Sequence, residues 1–203
     1  VELVDRLGLP LVAIGTPVPG RACVRIDDRE ATRTAVEHLA GLGHTRIGYI
    51  GAVPQNVAHV QTPQNRLEAF RESVDQLGLT CDDAWVLGSD WTAEAAARDS
   101  EALLKDGWRP TAIVAASDEM AIGVRESARR LGLSVPGDLS VIGIDDYLLS
   151  EVLGLTTVRQ DVAAQGRAAA ELLLRALLDD DEPTDEVVLP TELIVRESTG
   201  PLS

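Results

Sequence analysis

The stretch Thr111-Ala112-Ile113-Val114-Ala115-Ala116-Ser117-Asp118-Glu119-Met120-Ala121 decides the fold. Residues 112–116 are apolar throughout, without the alternation of a strand that has one wet face. Ser117-Asp118 ends that run. Ala121, Val124, Ala128 and Leu131 then recur at helical spacing until Gly132 closes the pattern. A strand apolar on both faces, followed by an amphipathic helix, is half of a βαβ unit in a parallel sheet.

The same unit repeats in both directions. Upstream, strand 46–50 leads to a helix carrying Leu67, Phe70, Val74 and Leu77, closed by Gly78. Strand 84–87 leads to a helix over 92–106, closed by Gly107. Downstream, strand 140–144 follows, then strand 156–158 and a helix over 162–178. Nearer the start, strands are expected at 11–14 and 22–26, with Asp27 or Asp28 capping a helix that stops at Gly43. Val1-Glu2-Leu3-Val4 reads as a helix already under way. Asp179 to Asp185 reads as a solvated acidic turn, and two short strands, 186–189 and 193–196, finish the chain. The fold class is α/β, a doubly wound parallel sheet covered on both faces.

The 203 residues suffice for one sizeable α/β domain or two small lobes. With 33 acidic against 18 basic residues the net charge is -15, which would repel a polyanion such as DNA. Cys23 and Cys81 suit neither a disulfide framework nor a metal spacing, so a reducing cytoplasm is the expected compartment. No apolar run approaches the roughly 20 residues needed to cross a bilayer, so no membrane association is expected.

In an open parallel sheet, ligands bind outside the carboxyl ends of the strands. Those ends carry Ser89-Asp90-Trp91, Ser117-Asp118 and Asp145-Asp146, and Arg66 opens the helix after strand 46–50. A carboxylate, a guanidinium, a hydroxyl and an indole on one rim would suit a hydroxylated ligand. Plainer readings stand beside this. Asp118 reads first as a helix N-cap, Trp91 as partial core, and Arg66 as a surface partner of Glu68 or Asp90. Asp145-Asp146 could hold Mg²⁺, but no third carboxylate with a matching role is evident, so no metal is expected. There is no phosphate loop and no nucleophile elbow, so neither catalysis nor a cofactor is expected. Gly41-Leu42-Gly43-His44-Thr45-Arg46 reads as a helix end, with His44 favoured there as a cation by the helix dipole. His38, His44 and His59 show no metal spacing.

Several stretches together resemble the LacI/GalR family of bacterial transcription regulators. They are Val36-Glu37-His38-Leu39, Leu42-Gly43-His44-Thr45-Arg46-Ile47-Gly48-Tyr49-Ile50-Gly51, Arg109 to Ala121, Val135 to Asp146, Leu155-Thr156-Thr157-Val158-Arg159-Gln160, and Leu189 to Gly200. The resemblance implies a two-lobed fold of the periplasmic-binding-protein-like type I, with the N-terminal lobe incomplete. Residues 1–26 and 161–185 would be the remnant of that lobe; 27–160 and 186–203 would form the C-terminal lobe. It further implies a small-molecule effector, a sugar or related metabolite, lying between the lobes. A homodimer is implied, with operator DNA held only through a helix-turn-helix absent from these residues. Arg66, Asp145, Ser117, Trp91 and Gln160 match effector positions. Gly15 matches one often held by aspartate, and Ser117 one often held by asparagine. The alternative within the same fold is the sugar-binding component of a transporter.

Overall fold

The computed structural model describes residues 6, 9–52, 61–179 and 184–202. The helix expected at 1–4, His59 and residues 180–183 of the acidic turn lie outside them. In chain order the elements are β1 (Val12–Ile14), β2 (Ala22–Ile26), α1 (Asp28–Gly41), β3 (Ile47–Ala52), α2 (Thr62–Gln76), β4 (Val86–Ser89), α3 (Ala93–Lys105), β5 (Ala112–Ala115), α4 (Asp118–Arg130), β6 (Ser140–Asp145), β7 (Thr156–Gln160), α5 (Val162–Asp179), β8 (Glu186–Leu189) and β9 (Thr191–Ile194). They fall into two compact units, Val1–Asp27 with Gln160–Thr191, and Asp28–Arg159 with Glu192–Ser203.

The larger unit is built on a six-stranded sheet in the order β4-β3-β5-β6-β7-β9. From β4 to β7 every neighbouring pair is parallel, with Ile50 opposite Ala115 and Val114 opposite Ile142. β3 and β5 are buried along their whole length, as continuous apolar strands in a sheet covered on both faces must be. Helices pack in pairs, α1 on α2 and α3 on α4, and both α1 and α4 lie against β6. Phe70, Leu39, Ile113, Ile142 and Met120 are among the largest side chains sealed from solvent. α3 starts where the Thr92 side chain accepts from Ala95 N at 3.2 Å, a bond that satisfies one free donor of the first turn.

His44 does not act as the expected cation at a helix end. It is buried, with Nδ1 3.0 Å from Thr111 Oγ1 and Nε2 within 3.0 Å of Ser140 Oγ and 3.1 Å of Gly200 O. The ring thus knots the end of α1 to the starts of β5 and β6 and to the C-terminal segment. Burial lowers its pKa, outweighing the carbonyl of Gly200, so the neutral ring is favoured.

The smaller unit is a three-stranded parallel sheet, β1-β2-β8. One face packs on α5, where Ala169 and Leu172 meet Ala22 and Val24. β8 is the element whose placement differs from expectation. Residues 186–189 were expected in the larger unit, but Val187 pairs with Val24 and Leu189 with Ile26, and the chain crosses over after Thr191. Pro190 separates two short strands of similar composition, and only tertiary pairing tells them apart.

Candidate functional site

In the larger sheet the chain steps from β3 outward to β4, then returns past β3 to β5. A reversal of this kind opens a crevice at the carboxyl ends of the two strands on either side of it. Arg66 sits at that point, in the second turn of α2, and is buried. Its Nε donates to Asp28 Oδ1 at 2.7 Å, and its Nη1 donates to the carbonyl of Ala116 just past β5. Nη1 also lies 3.9 Å from Asp145 Oδ1 at the end of β6. Thr62 Oγ1 donates to Asp28 Oδ2 at 2.9 Å. One guanidinium therefore joins the start of α1, the end of β5 and the end of β6. Neither expected surface partner is used: Glu68 pairs with Arg29 at 3.1 Å, and Asp90 is exposed. Asp28 was expected as a helix cap, and its carboxylate faces Arg66 and Thr62. Removing one member of so buried a pair leaves the other as an uncompensated charge, at a cost of about 3–5 kcal/mol.

Asp145 and Asp146 both have left-handed backbone, with φ of 133° and 56°. Non-glycine residues held there cost on the order of 1–3 kcal/mol each and persist only where their surroundings fix them. Asp146 is fixed by ion pairs to Arg159 and Arg196, both at 2.8 Å. Burial pushes its carboxyl up, but these two guanidiniums outweigh that and hold it below the usual carboxylate range. The Mg²⁺ alternative thereby loses its second carboxylate to two arginines. Among the described residues no three His, Cys, Asp or Glu side chains gather to hold a metal. Asp145 keeps a side chain 29% exposed beside the Arg66 guanidinium.

Ser117 takes the capping role expected of Asp118. Ser117 is the N-cap, its Oγ accepting from Met120 N at 3.3 Å. Asp118 is fully buried and caps nothing at the start of α4. Its carboxylate accepts from Ser150 Oγ and Thr157 Oγ1, both at 2.5 Å, and from Tyr147 N at 2.9 Å. It thereby holds the segment after β6 against the start of α4. Burial raises the Asp118 pKa in spite of these three donors. Gly143 in β6 makes room for the arrangement, because a Cβ there would run into Asp118 Oδ1.

The other expected site residues are placed as follows. Trp91 is half-buried in the turn between β4 and the Thr92 cap, with no hydrogen bond to Arg66 or Asp145 among the described residues. Gly15 and Gln160 belong to the smaller unit. Gly15 has φ 85°, a conformation that favours glycine, and its N–H donates to Val24 O at 2.8 Å. Gln160 Oε1 accepts from Gln165 Nε2 at 2.9 Å. The structure thus brings together Arg66, Asp145 and the Ala116-Ser117 strand end. Sequence reasoning missed Asp28 and Arg196, the first because it stood beside Asp27 in a pattern that reads as a cap.

Residues 36–199 match the periplasmic binding protein-like domain family. The chain is 44% identical over 180 residues to the HTH-type transcriptional regulator MalR of Streptomyces coelicolor, covering 86% of this chain and 51% of that protein. A solved LacI family transcriptional regulator from Mycobacterium smegmatis is 38% identical, with a TM-score of 0.84 over 98% of this chain and 73% of that one. A LacI family transcriptional regulator from Enterococcus faecium, solved with bound ribose, is 27% identical, with a TM-score of 0.87 over 100% of this chain and 74% of that one. The chain spans about half the length of the curated relatives it matches. The chain, a parallel α/β fold whose polar residues gather at its switch point, belongs to the LacI family as a periplasmic-binding-protein-like domain.

Proposed function

We propose that the chain senses a small hydroxylated metabolite, a sugar, for a transcription regulator, and that it catalyses nothing. The observation that carries this is the meeting of Arg66 and Asp145 at the switch point, 3.9 Å apart. A carboxylate accepts from vicinal hydroxyls while a guanidinium donates to them, and such a pair orients a polyol without reacting with it. The ribose held by the E. faecium regulator supports the ligand class. The regulators among the relatives favour this reading over a transporter component. Operator binding through a segment outside the present residues belongs to the same proposal, and so does a second copy of the chain as partner. Leu148 and Val152, 85% and 81% exposed, give the segment after β6 an apolar surface suited to that copy.

Calorimetry of the intact protein against neutral mono- and disaccharides, ribose among them, tests the ligand reading. Asp145→Ala is expected to weaken whichever sugar binds by about ten- to a hundredfold, the worth of hydrogen bonds to a charged group. Unchanged affinity in that variant would reject the assignment. The same samples in sedimentation equilibrium should run as dimers.

A further inference from the structure

Arginine is the side chain best suited to grip phosphate or carboxylate, because its planar fork meets two oxygens at once. An arginine at a ligand crevice would ordinarily point to an anionic ligand. The surroundings of Arg66 argue otherwise. Asp28 binds Nε at 2.7 Å, which closes the side-on edge of the fork to any second oxyanion. The carbonyl of Ala116 takes Nη1. Asp145 lies 3.9 Å from the same nitrogen, so this guanidinium faces two carboxylates. The Asp28–Arg66 pair is sealed, with side chains 9% and 5% exposed, so solvent and salt screen it little.

We infer that Asp28 is a positioning and specificity residue: it fixes the Arg66 guanidinium and cancels its charge, so the crevice accepts an uncharged hydroxylated ligand and rejects its phosphorylated or carboxylated counterpart. The inference rests on the reading of Arg66 and Asp145 as ligand contacts. It adds the charge class of the ligand and a residue whose own atoms do not touch it. Arg66 serves as a directional donor here, held so that its remaining N–H groups are fixed in space. The ligand oxygens that suit it are those of hydroxyls, which accept one such bond while donating to Asp145.

Asp28→Asn separates charge from geometry. The amide oxygen can still accept from Arg66 Nε, and its NH₂ can donate to the Thr62 hydroxyl, but the compensating charge is gone. Thermal shift with inorganic phosphate, at ionic strength matched with chloride, reads the result without knowledge of the natural ligand. The wild-type protein should show no phosphate-specific stabilisation. Asp28→Asn should melt lower than wild type and gain a phosphate-dependent rise in Tm. That rise should vanish in Asp28→Asn/Arg66→Gln, where the pair is removed as a unit and no buried charge is orphaned.

A second arm compares ribose with ribose 5-phosphate, and other neutral sugars with their phosphates, by calorimetry. Wild type should prefer the neutral member by at least about tenfold, a conservative floor beside the roughly thousandfold that one uncompensated charge about 4 Å away would impose at an effective dielectric near 20. Asp28→Asn should narrow or invert that ratio, a change in the charge preference for the ligand that a residue of merely structural importance would not produce. Phosphate stabilisation of wild type that is lost in the double variant overturns the inference. So does Asp28→Asn with no gain toward phosphate, or a wild-type preference for the phosphorylated sugar. If no sugar of either kind binds, the sugar-sensing reading fails, while the phosphate arm still decides the charge of the crevice.

Discussion

The two units bury their sheets to different depths. In the larger one, β3 and β5 are sealed on both faces by paired helices. In the smaller one, among the described residues, three strands meet one helix, α5, and Ile14 and Val188 stay 55% and 47% exposed. α5 itself presents Leu174, Leu177 and Leu178 at 57%, 60% and 82%. Burial of apolar surface is the chief stabilising term, so the two units should differ in the stability they can support alone. The polar cluster of Asp28, Arg66 and Asp145 stands on the better-buried one. A charged group removed from water needs a rigid frame to keep its partner in place.

The largest test of this contrast lies in the cores. Ile142→Ala should cost about 2–5 kcal/mol, read as a lower midpoint of the main unfolding transition. Leu172→Ala, sealed against β2, should cost less and should lower an earlier, separate transition of the smaller unit. A single transition that responds equally to both would show that the units unfold together and would erase the contrast. Of intermediate size is Asp118→Ala, expected to cost about 1–3 kcal/mol because it strands the donors of Ser150, Thr157 and Tyr147. Hydrogen exchange should locate the added opening at 147–150, with β3 and β5 still protected.

The smallest effect is that of pH. His44 is pushed down by burial, and His38 by burial and by the charge of His44. The unfolded chain then binds protons more readily than the folded one, so stability falls as pH drops through about 6.5 toward the lower folded values. Asp118 acts in the opposite sense, since its raised folded pKa favours the folded state as acid is added. The net expectation is a modest loss of Tm between pH 7.5 and 5.5. Proton NMR of the histidine rings checks it, and a His44 that titrates above 6.5 would contradict it.

The sheet of the larger unit was readable from the chain because continuous burial leaves continuous apolar runs. The strands at 46–50, 112–116 and 140–144 are seen where expected, each within a residue or two. β8 was assigned to the other unit because Glu186-Val187-Val188-Leu189 carries no mark of which edge will receive it. The rim was legible as a set of strand ends, since topology alone places ligands there. Its wiring was not. Asp28 meets Arg66 across 38 residues, and nothing local distinguishes a carboxylate that caps from one that crosses to another helix. Ser117 and Asp118 show the same limit at closer range. Either could cap α4, and the choice falls to whichever leaves the carboxylate nearer three donors from elsewhere in the fold.

Gly143 carries a consequence for what this chain can become. The void above it is the seat of the Asp118 carboxylate, so even one added methyl would displace the anchor of residues 147–157. Alanine, the mildest replacement a β-strand can receive, is therefore among the least tolerable here. Mutational scanning of β6 should show position 143 as a lone intolerant site between Ile142 and Ile144, whose conservative exchanges the core absorbs.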